Sequence, residues 1–167
     1  MEDGSLIPEE ARARVGSEIS RAQGQVVKQD FQRWAASVKD RNPLYFDADF
    51  ARAHGYRDVV MPPMYIGSVT AGVADLDTLR PDGIPGRGPG DVSLPKAPRI
   101  MGGGETILFH EPVYDGDTLT TVRVFENIEE KHGRSGPFVL VTMRTTYIRQ
   151  DGITVAEAVT STIARPL

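Results

Sequence analysis

The residues best placed to do chemistry lie in the segment DRNPLY, residues 40–45. A carboxylate can take a proton from water, and amide and phenol groups can hold a water molecule or a carbonyl by hydrogen bonds. The Tyr45 hydroxyl has an ordinary pKa of about 10, so it exchanges protons poorly at neutral pH. Asp40 is therefore the candidate base. The structural alternatives are that Asp40 ends a helix, that Asn42 shapes the turn, and that Tyr45 is a packed aromatic side chain.

Several other kinds of active site are excluded by the sequence. The 167 residues include no cysteine, which excludes disulfides, zinc–thiolate sites and thiol nucleophiles. The 3 histidines are scattered and have no carboxylate at metal-ligand spacing, so we predict no metal site. The G-x-S-x-G pattern of a serine nucleophile is absent, and the glycine-rich segment 86–90 lacks the features of a phosphate-binding loop.

Charge and hydropathy limit the partners. With 19 Lys and Arg against 23 Asp and Glu, the net charge of −4 disfavours binding to nucleic acid. No apolar run approaches the roughly 18 residues that a membrane-spanning helix needs, and the first residues do not resemble a secretory signal. We therefore expect a soluble cytoplasmic protein with a single domain over residues 1–167, in which 1–24 form an N-terminal extension.

Helical patterns occupy the first half of the chain. A first helix is expected to begin at Pro8, which suits the first helical turn. A second helix is capped by Asp30 and carries apolar residues at i, i+3, i+4 and i+7. A third fits residues 47–54. A fourth, small and apolar, fits Met64–Val73, and its composition predicts burial on most sides.

The second half of the chain reads as strands, and a short strand is also expected at residues 25–27. The four long strand candidates are Glu105–Val113, Leu119–Lys131, Phe138–Arg149 and Ile153–Ala164. Their connections are too short for crossovers, so they must be antiparallel. Residues 75–104 are rich in glycine and proline, which predicts a lid or a mobile segment. Together these elements predict an α+β fold, a long antiparallel sheet around the apolar helix.

Three segments carry a family resemblance. In chain order they are D-x-N-P-L-Y-x-D from Asp40, G-Y-x-D-V-V-M-P-P from Gly55, and K-x-G-R-S-G-P-F from Lys131. They resemble the MaoC-like (R)-specific enoyl-CoA hydratases of the hotdog fold, and especially their FAS1-like dehydratase sister group. The resemblance runs from about Val26 to Arg165. It implies a hotdog fold and the hydration of 2-enoyl thioesters, or the dehydration of 3-hydroxyacyl thioesters, in fatty acid or steroid metabolism.

The resemblance also implies roles for residues. Asp40 matches the family's catalytic Asp, with Asn42 close to it, and Tyr45 stands where the family has His. A hydratase also needs a donor to the thioester carbonyl. The family uses a glycine amide at the place where this chain has Pro62-Pro63-Met64, so the Met64 amide at a helix start is the remaining donor.

The implied substrate-binding residues are Pro63, Met64, Tyr65 and Arg134. Arg134 would meet the phosphates of coenzyme A, although a solvated turn cation is the alternative. No cofactor is implied beyond the coenzyme A or acyl carrier protein that forms part of the substrate.

The sequence leaves the role of the chain open. It is a hydratase or dehydratase with Asp40 as base, or a non-catalytic subunit that supplies the acyl tunnel wall to a catalytic MaoC-type partner. Asp40 and Asn42 favour the first interpretation, whereas Tyr45 and the double proline favour the second. A hotdog thioesterase or an acyl-CoA binding module is a further alternative. Because a lone hotdog leaves a sheet edge unpaired, we expect a homodimer or a heteromer.

Overall fold

The computed structural model describes residues 4–72, 76–79, 81 and 92–167. Its strands form one antiparallel sheet in the order β1-β3-β4-β5-β2. The strands are β1 Glu18–Gln25, β2 Arg99–Phe109, β3 Thr118–Gly133, β4 Gly136–Arg149 and β5 Thr154–Arg165. The long antiparallel sheet of the predicted α+β class is confirmed.

Two strands differ from the sequence prediction. The first strand ends at Gln25 instead of covering residues 25–27, and β2 begins at Arg99, six residues before the predicted Glu105. The glycines at 102–104 suggested a loop, but Gly103 lies inside β2 against β5. A Cβ on Gly103 would come within 2.7 Å of Ser161 Oγ, so the glycine permits a close approach of the two strands. Half of the remaining predicted lid, residues 75–98, lies outside the described residues.

The first three helices are short and flank the sheet. They are α1 Glu9–Arg12, α2 Lys28–Ser37 and α3 Ala48–Ala53. The third matches the prediction, and Asp47 caps it by accepting hydrogen bonds from the next amides. In contrast, α2 begins before Asp30, so the Asp30 carboxylate lies in the first turn and does not cap the helix.

The apolar helix predicted at Met64–Val73 is much shorter in the structure. A 3₁₀ turn over Pro63–Tyr65 leads into α4, Ile66–Val69. Ile66 is buried, but Met64 is 60% exposed, so the prediction of burial on most sides is wrong for the described part. The helix ends where β-branched residues and glycine lower helix propensity, and where the Thr70 hydroxyl contacts that of Thr121 in β3 at 2.8 Å.

The inner face of the sheet carries two apolar clusters. One gathers around α2 and α4 and includes Phe31, Ile66 and Leu119. The other lies toward α1 and includes Phe125 and Val139. A smaller cluster joins the turn after α2 to the chain before β3; it comprises Ala35, Tyr45, Val60 and Tyr114. These three clusters hold the helices and loops on the sheet.

The edge of the sheet at β2 is open. Among the described residues β2 pairs only with β5, and its side chains are largely exposed, including Ile100 and Leu108. An exposed apolar edge strand is a ready surface for pairing with another chain. None of the helices in the described ranges has the length and apolar character that crossing a lipid bilayer requires.

Candidate functional site

The Asn-Pro turn, which we define as residues 39–45, begins where α2 stops. Lys39 has a positive φ of 60°, the left-handed conformation common just after a helix. The Lys39 amide donates to the Ala36 carbonyl, and the Asp40 amide donates to the Ala35 carbonyl at 2.9 Å. These two main-chain hydrogen bonds end the helix and turn the chain sharply. Asp40 therefore lies in the Asn-Pro turn, close to the end of α2.

The side chains of the turn hold one another. The Asp40 carboxylate accepts a hydrogen bond from the Asn42 amide at 3.1 Å, and the Asn42 side-chain oxygen accepts one from the Leu44 amide at 3.1 Å. Pro43 occupies the first position of the 3₁₀ turn, where no amide hydrogen is needed. Asp40 and Asn42 therefore have the structural roles that the sequence offered as alternatives to catalysis.

Tyr45 lies at the end of this turn and is buried. Its main-chain carbonyl accepts a hydrogen bond from Gln32 at 2.8 Å. Burial raises the pKa of its hydroxyl, and the negative charge of Asp40 raises it further, while a hydrogen bond with the Asn42 side chain acts in the opposite direction. Because the net direction is upward from about 10, Tyr45 remains protonated at neutral pH and suits a hydrogen-bonding role.

A cavity of about 390 Å³ opens beside the turn. Its polar residues are Asn42, Tyr45, Tyr56, His110 and Glu111, and apolar residues such as Val60 and Ile66 supply much of the rest. Asp40 is not among the lining residues; it borders a separate depression with Lys39, Arg41 and Phe46. Of the predicted catalytic residues, the structure thus brings Asn42 and Tyr45 to the cavity and leaves Asp40 behind the turn.

Only one of the predicted substrate-binding residues lines the cavity. Pro63 lines the cavity, whereas Met64 and Tyr65 do not. Tyr65 packs on Trp34 with ring centroids 5.8 Å apart, and burial raises its pKa. The Met64 amide makes no hydrogen bond to any residue that the structure describes, so it is available as a donor at the start of the 3₁₀ turn.

Arg134 is far from the cavity within one protomer. It lies exposed in the turn between β3 and β4, at the opposite end of β3 from Thr118. The 16 residues of β3 span about 50 Å at 3.3 Å per residue. The structure therefore does not bring Arg134 together with the Asn-Pro turn in the same chain.

Sequence reasoning missed a second polar group, located in the middle of the sheet. Arg123, Thr145, Tyr147 and Thr160 face one cleft on the inner side. The sequence did carry a signal for this group: Arg123 and Thr145 stand at strand positions that alternation places on the inner face of the sheet. Sequence reasoning also did not select His110 and Glu111, which follow β2 and line the first cavity; the His110 ring bonds to Glu157 at 3.1 Å. No cluster of potential metal ligands occurs among the described residues.

Sequence comparison places the chain among known proteins. The family description "FAS1-like, dehydratase domain region" matches residues 13–158. A UPF0336 protein of Parafrankia sp. is 32% identical over 144 residues, which cover 84% of each chain. The mesaconyl-C(4)-CoA hydratase of Chloroflexus aurantiacus is 36% identical over 86 residues, 52% of this chain and 30% of that protein.

Solved structures share the fold at low sequence identity. A chain of the ChsH1-ChsH2 complex from Mycobacterium tuberculosis superposes with a TM-score of 0.78 at 20% identity, covering 95% of this chain and 92% of that chain. The (R)-hydratase PhaJ1 from Pseudomonas aeruginosa gives 0.60 at 22% identity, with coverage of 92% and 83%. The HadBC (3R-hydroxyacyl-ACP dehydratase) complex from M. tuberculosis gives 0.61 at 22% identity, with coverage of 89% and 96%. The predicted hotdog fold is confirmed.

Proposed function

Because this chain belongs to the family of FAS1-like dehydratase domains, we propose that it serves the (R)-specific hydration of 2-enoyl thioesters or the reverse dehydration of 3-hydroxyacyl thioesters. The carrier is coenzyme A or acyl carrier protein. We further propose that the chain is one subunit of a heteromer. In that assembly it supplies a wall of the acyl site, and a MaoC-type partner supplies the acid and base.

The observation that carries this proposal is the separation of Asp40 from the cavity. Hydration needs a base that touches water and an acid that reaches the substrate. Here the Asp40 carboxylate is engaged by the Asn42 amide and borders a different depression. Tyr45 does line the cavity, but its raised pKa keeps it protonated, so it is a poor base. His110 and Glu111 also line the cavity, but the His110 ring is bonded to Glu157 at 3.1 Å. The Asn-Pro turn, where the family resemblance places the base, therefore supplies none, which favours a supporting role with the base from a partner.

Further support for a heteromer comes from the open edge and from the relatives. The exposed β2 strand can pair with a second sheet. Two of the similar structures, ChsH1-ChsH2 and HadBC, are complexes by their names. The thioester class is supported by the named activities of relatives, which include a CoA-thioester hydratase and a hydroxyacyl-ACP dehydratase.

Within such a site this chain would position substrate and exclude water. The apolar lining of the cavity suits an acyl chain, and its low dielectric strengthens the hydrogen bonds made there. The Tyr45 hydroxyl can hold the attacking water or the thioester oxygen. The Met64 amide is the second candidate donor for that oxygen, because it directly follows Pro63 of the cavity lining and has no partner in the described part of the protein.

A second candidate is a chain that is catalytic on its own, with Asp40 as the base. It is favoured by the electrostatic effect of Asp40 on Tyr45, which indicates that the carboxylate and the cavity hydroxyl lie close enough to interact. In this alternative the turn rearranges when substrate binds, since catalytic hydrogen bonds often tighten only in the complex.

The experiment is to measure hydration of enoyl-CoA by the purified chain alone and after co-expression with a MaoC-type protein that carries an intact D-x-N-P-[LIV]-H motif. We expect activity only with the partner, and little change when Asp40→Asn is introduced here. If the chain alone is active and Asp40→Asn lowers kcat by about 10²–10⁴-fold, the second candidate is correct. Asp49→Asn, which alters an exposed carboxylate on α3, is the matched control.

A further inference from the structure

The inner face of the sheet is polar in the region between its two apolar clusters. Arg123 in β3 lies opposite Thr145 in β4, and Thr121 lies opposite Tyr147. Together with Thr160 of β5 they line an open cleft of about 290 Å³ next to α4. Because α4 ends at Val69, this helix does not extend over the whole cleft.

Thr70 and Thr121 bond to each other at one side of this cleft, but four of its polar side chains have no partner in the part of the chain that the structure describes. Arg123 makes no ion pair or hydrogen bond with any residue in the described ranges, and the same holds for the hydroxyls of Thr145, Tyr147 and Thr160. Other arginines of the sheet are paired; Arg144 bonds to Glu126 and Arg149 to Asp151. A concave site whose guanidinium and hydroxyls face the open cleft and are engaged by no described residue is suited to a ligand.

The chemistry of the cleft points to an anion. Burial raises the pKa of Tyr147, Glu105 raises it further, and Arg123 acts in the opposite direction, so the hydroxyl stays protonated and can donate. Arginine binds carboxylate through two parallel hydrogen bonds. Glu105 adds one negative charge near Tyr147, which favours a singly charged carboxylate over a doubly charged phosphate.

The cleft and the cavity lie on either side of α4. Ile66 lines the cavity and the next residue, Gly67, lines the cleft. Across the sheet, Phe109 of the cavity and Tyr147 of the cleft are separated by β5, which places their strands about 10 Å apart. A group bound in the cleft would thus be at the distance of an extended acyl chain from a thioester in the cavity.

We propose that Arg123, assisted by the hydroxyls of Thr145, Tyr147 and Thr160, binds a carboxylate carried by the acyl group of the thioester. The chain would then select acyl groups that end in a carboxylate over those that end in a methyl group. This inference rests on the proposed function for the thioester itself.

The test compares ligands that differ only at the end of the acyl chain. Adipoyl-CoA is paired with hexanoyl-CoA, and sebacoyl-CoA with decanoyl-CoA; all are saturated, so binding to the full chain is measured by calorimetry without turnover. We expect the carboxylated member to bind about 10- to 100-fold more tightly in at least one pair. Arg123→Gln should abolish this preference, and Arg123→Lys should retain part of it. Arg21→Gln, on the opposite face of the sheet, should retain all of it.

Equal affinities within both pairs, or a preference that survives Arg123→Gln, would overturn the proposal. Coenzyme A alone is a further arm: if Arg123→Gln weakens its binding as much as that of adipoyl-CoA, the ligand is a phosphate and the carboxylate assignment is wrong. Binding of free adipate to the chain tests the anion site independently of the proposed function. Arg123-dependent adipate binding in a protein whose complexes never hydrate enoyl thioesters would refute the function and leave the anion site standing.

Discussion

The Asn-Pro turn and the segment around α4 border the same cavity but are held in different ways. The turn is fixed by bonds among its own residues, from Asp40 to Asn42 and from Asn42 to Leu44. The α4 segment is fixed by strands distant in sequence, since Gly24 packs under the Val69 carbonyl and Thr70 contacts Thr121. The turn therefore depends on local chemistry, whereas α4 depends on the sheet being correctly formed beneath it.

The largest expected effect concerns the contact under α4. In Gly24→Ala the new Cβ would lie 1.9 Å from the Val69 carbonyl oxygen, a backbone atom that cannot move without shifting α4. We expect the free energy of unfolding to fall by about 3 kcal/mol or more, measured by chemical denaturation.

Gly102→Ala is the matched control, because it also lies in a strand and its new Cβ would meet nothing within 4 Å. We expect it to change stability by less than about 0.5 kcal/mol. If the two variants are equally stable, α4 is not fixed by Gly24 and the contrast between the two segments fails.

This contrast also explains what the sequence could predict. Pro43 and the two Asx residues before it, Asp40 and Asn42, have strong local preferences, so the turn could be placed correctly. The length of α4 could not, because its apolar residues fit a longer helix and the close approach of Gly24 is visible only in three dimensions. The Arg123 cleft was missed for the same reason, since strand register decides which side chains share it.

The next largest effect is expected in the Asn-Pro turn. Asn42→Ala removes the side-chain acceptor for the Leu44 amide. We expect a loss of about 1 kcal/mol in the free energy of unfolding, which is the usual contribution of a capping side chain.

Asn42→Ser is the control for this prediction. Serine caps helical turns about as well as asparagine, so it should recover more than half of the loss. Equal losses in Asn42→Ala and Asn42→Ser would show that the turn does not depend on its local cap, which would make it resemble the α4 segment.

A smaller effect, of opposite sign, is expected at Lys39. Its positive φ of 60° is unfavourable for a residue with a Cβ, and glycine adopts this conformation freely. Lys39→Gly should raise the free energy of unfolding by about 0.5 kcal/mol after the greater entropy of glycine in the unfolded chain is taken into account. Lys39→Ala keeps the Cβ and should bring no gain, and a gain equal to that of glycine would contradict the assignment of strain.

The smallest effect tests whether Asp40 and Tyr45 communicate across the turn. Asp40→Asn removes the negative charge that raises the pKa of Tyr45, so this pKa should fall but stay above its ordinary value of about 10, because burial is the larger cause. Ultraviolet titration of the tyrosinate signal measures this pKa, with the signal of Tyr45→Phe subtracted because the pKa values of Tyr65 and Tyr147 are also raised.

Since the folded pKa of Tyr45 exceeds the unfolded one, the stabilising contribution of Tyr45 is complete below about pH 10 and is lost as the pH rises through the folded pKa. Asp40→Asn narrows the gap between the folded and unfolded pKa of Tyr45, so less stability is lost when Tyr45 ionises and alkaline unfolding should move to higher pH, whereas Asp49→Asn should not shift it. An unchanged Tyr45 titration in Asp40→Asn would mean that the carboxylate is isolated from the cavity, which would leave the Asn-Pro turn with a purely structural role.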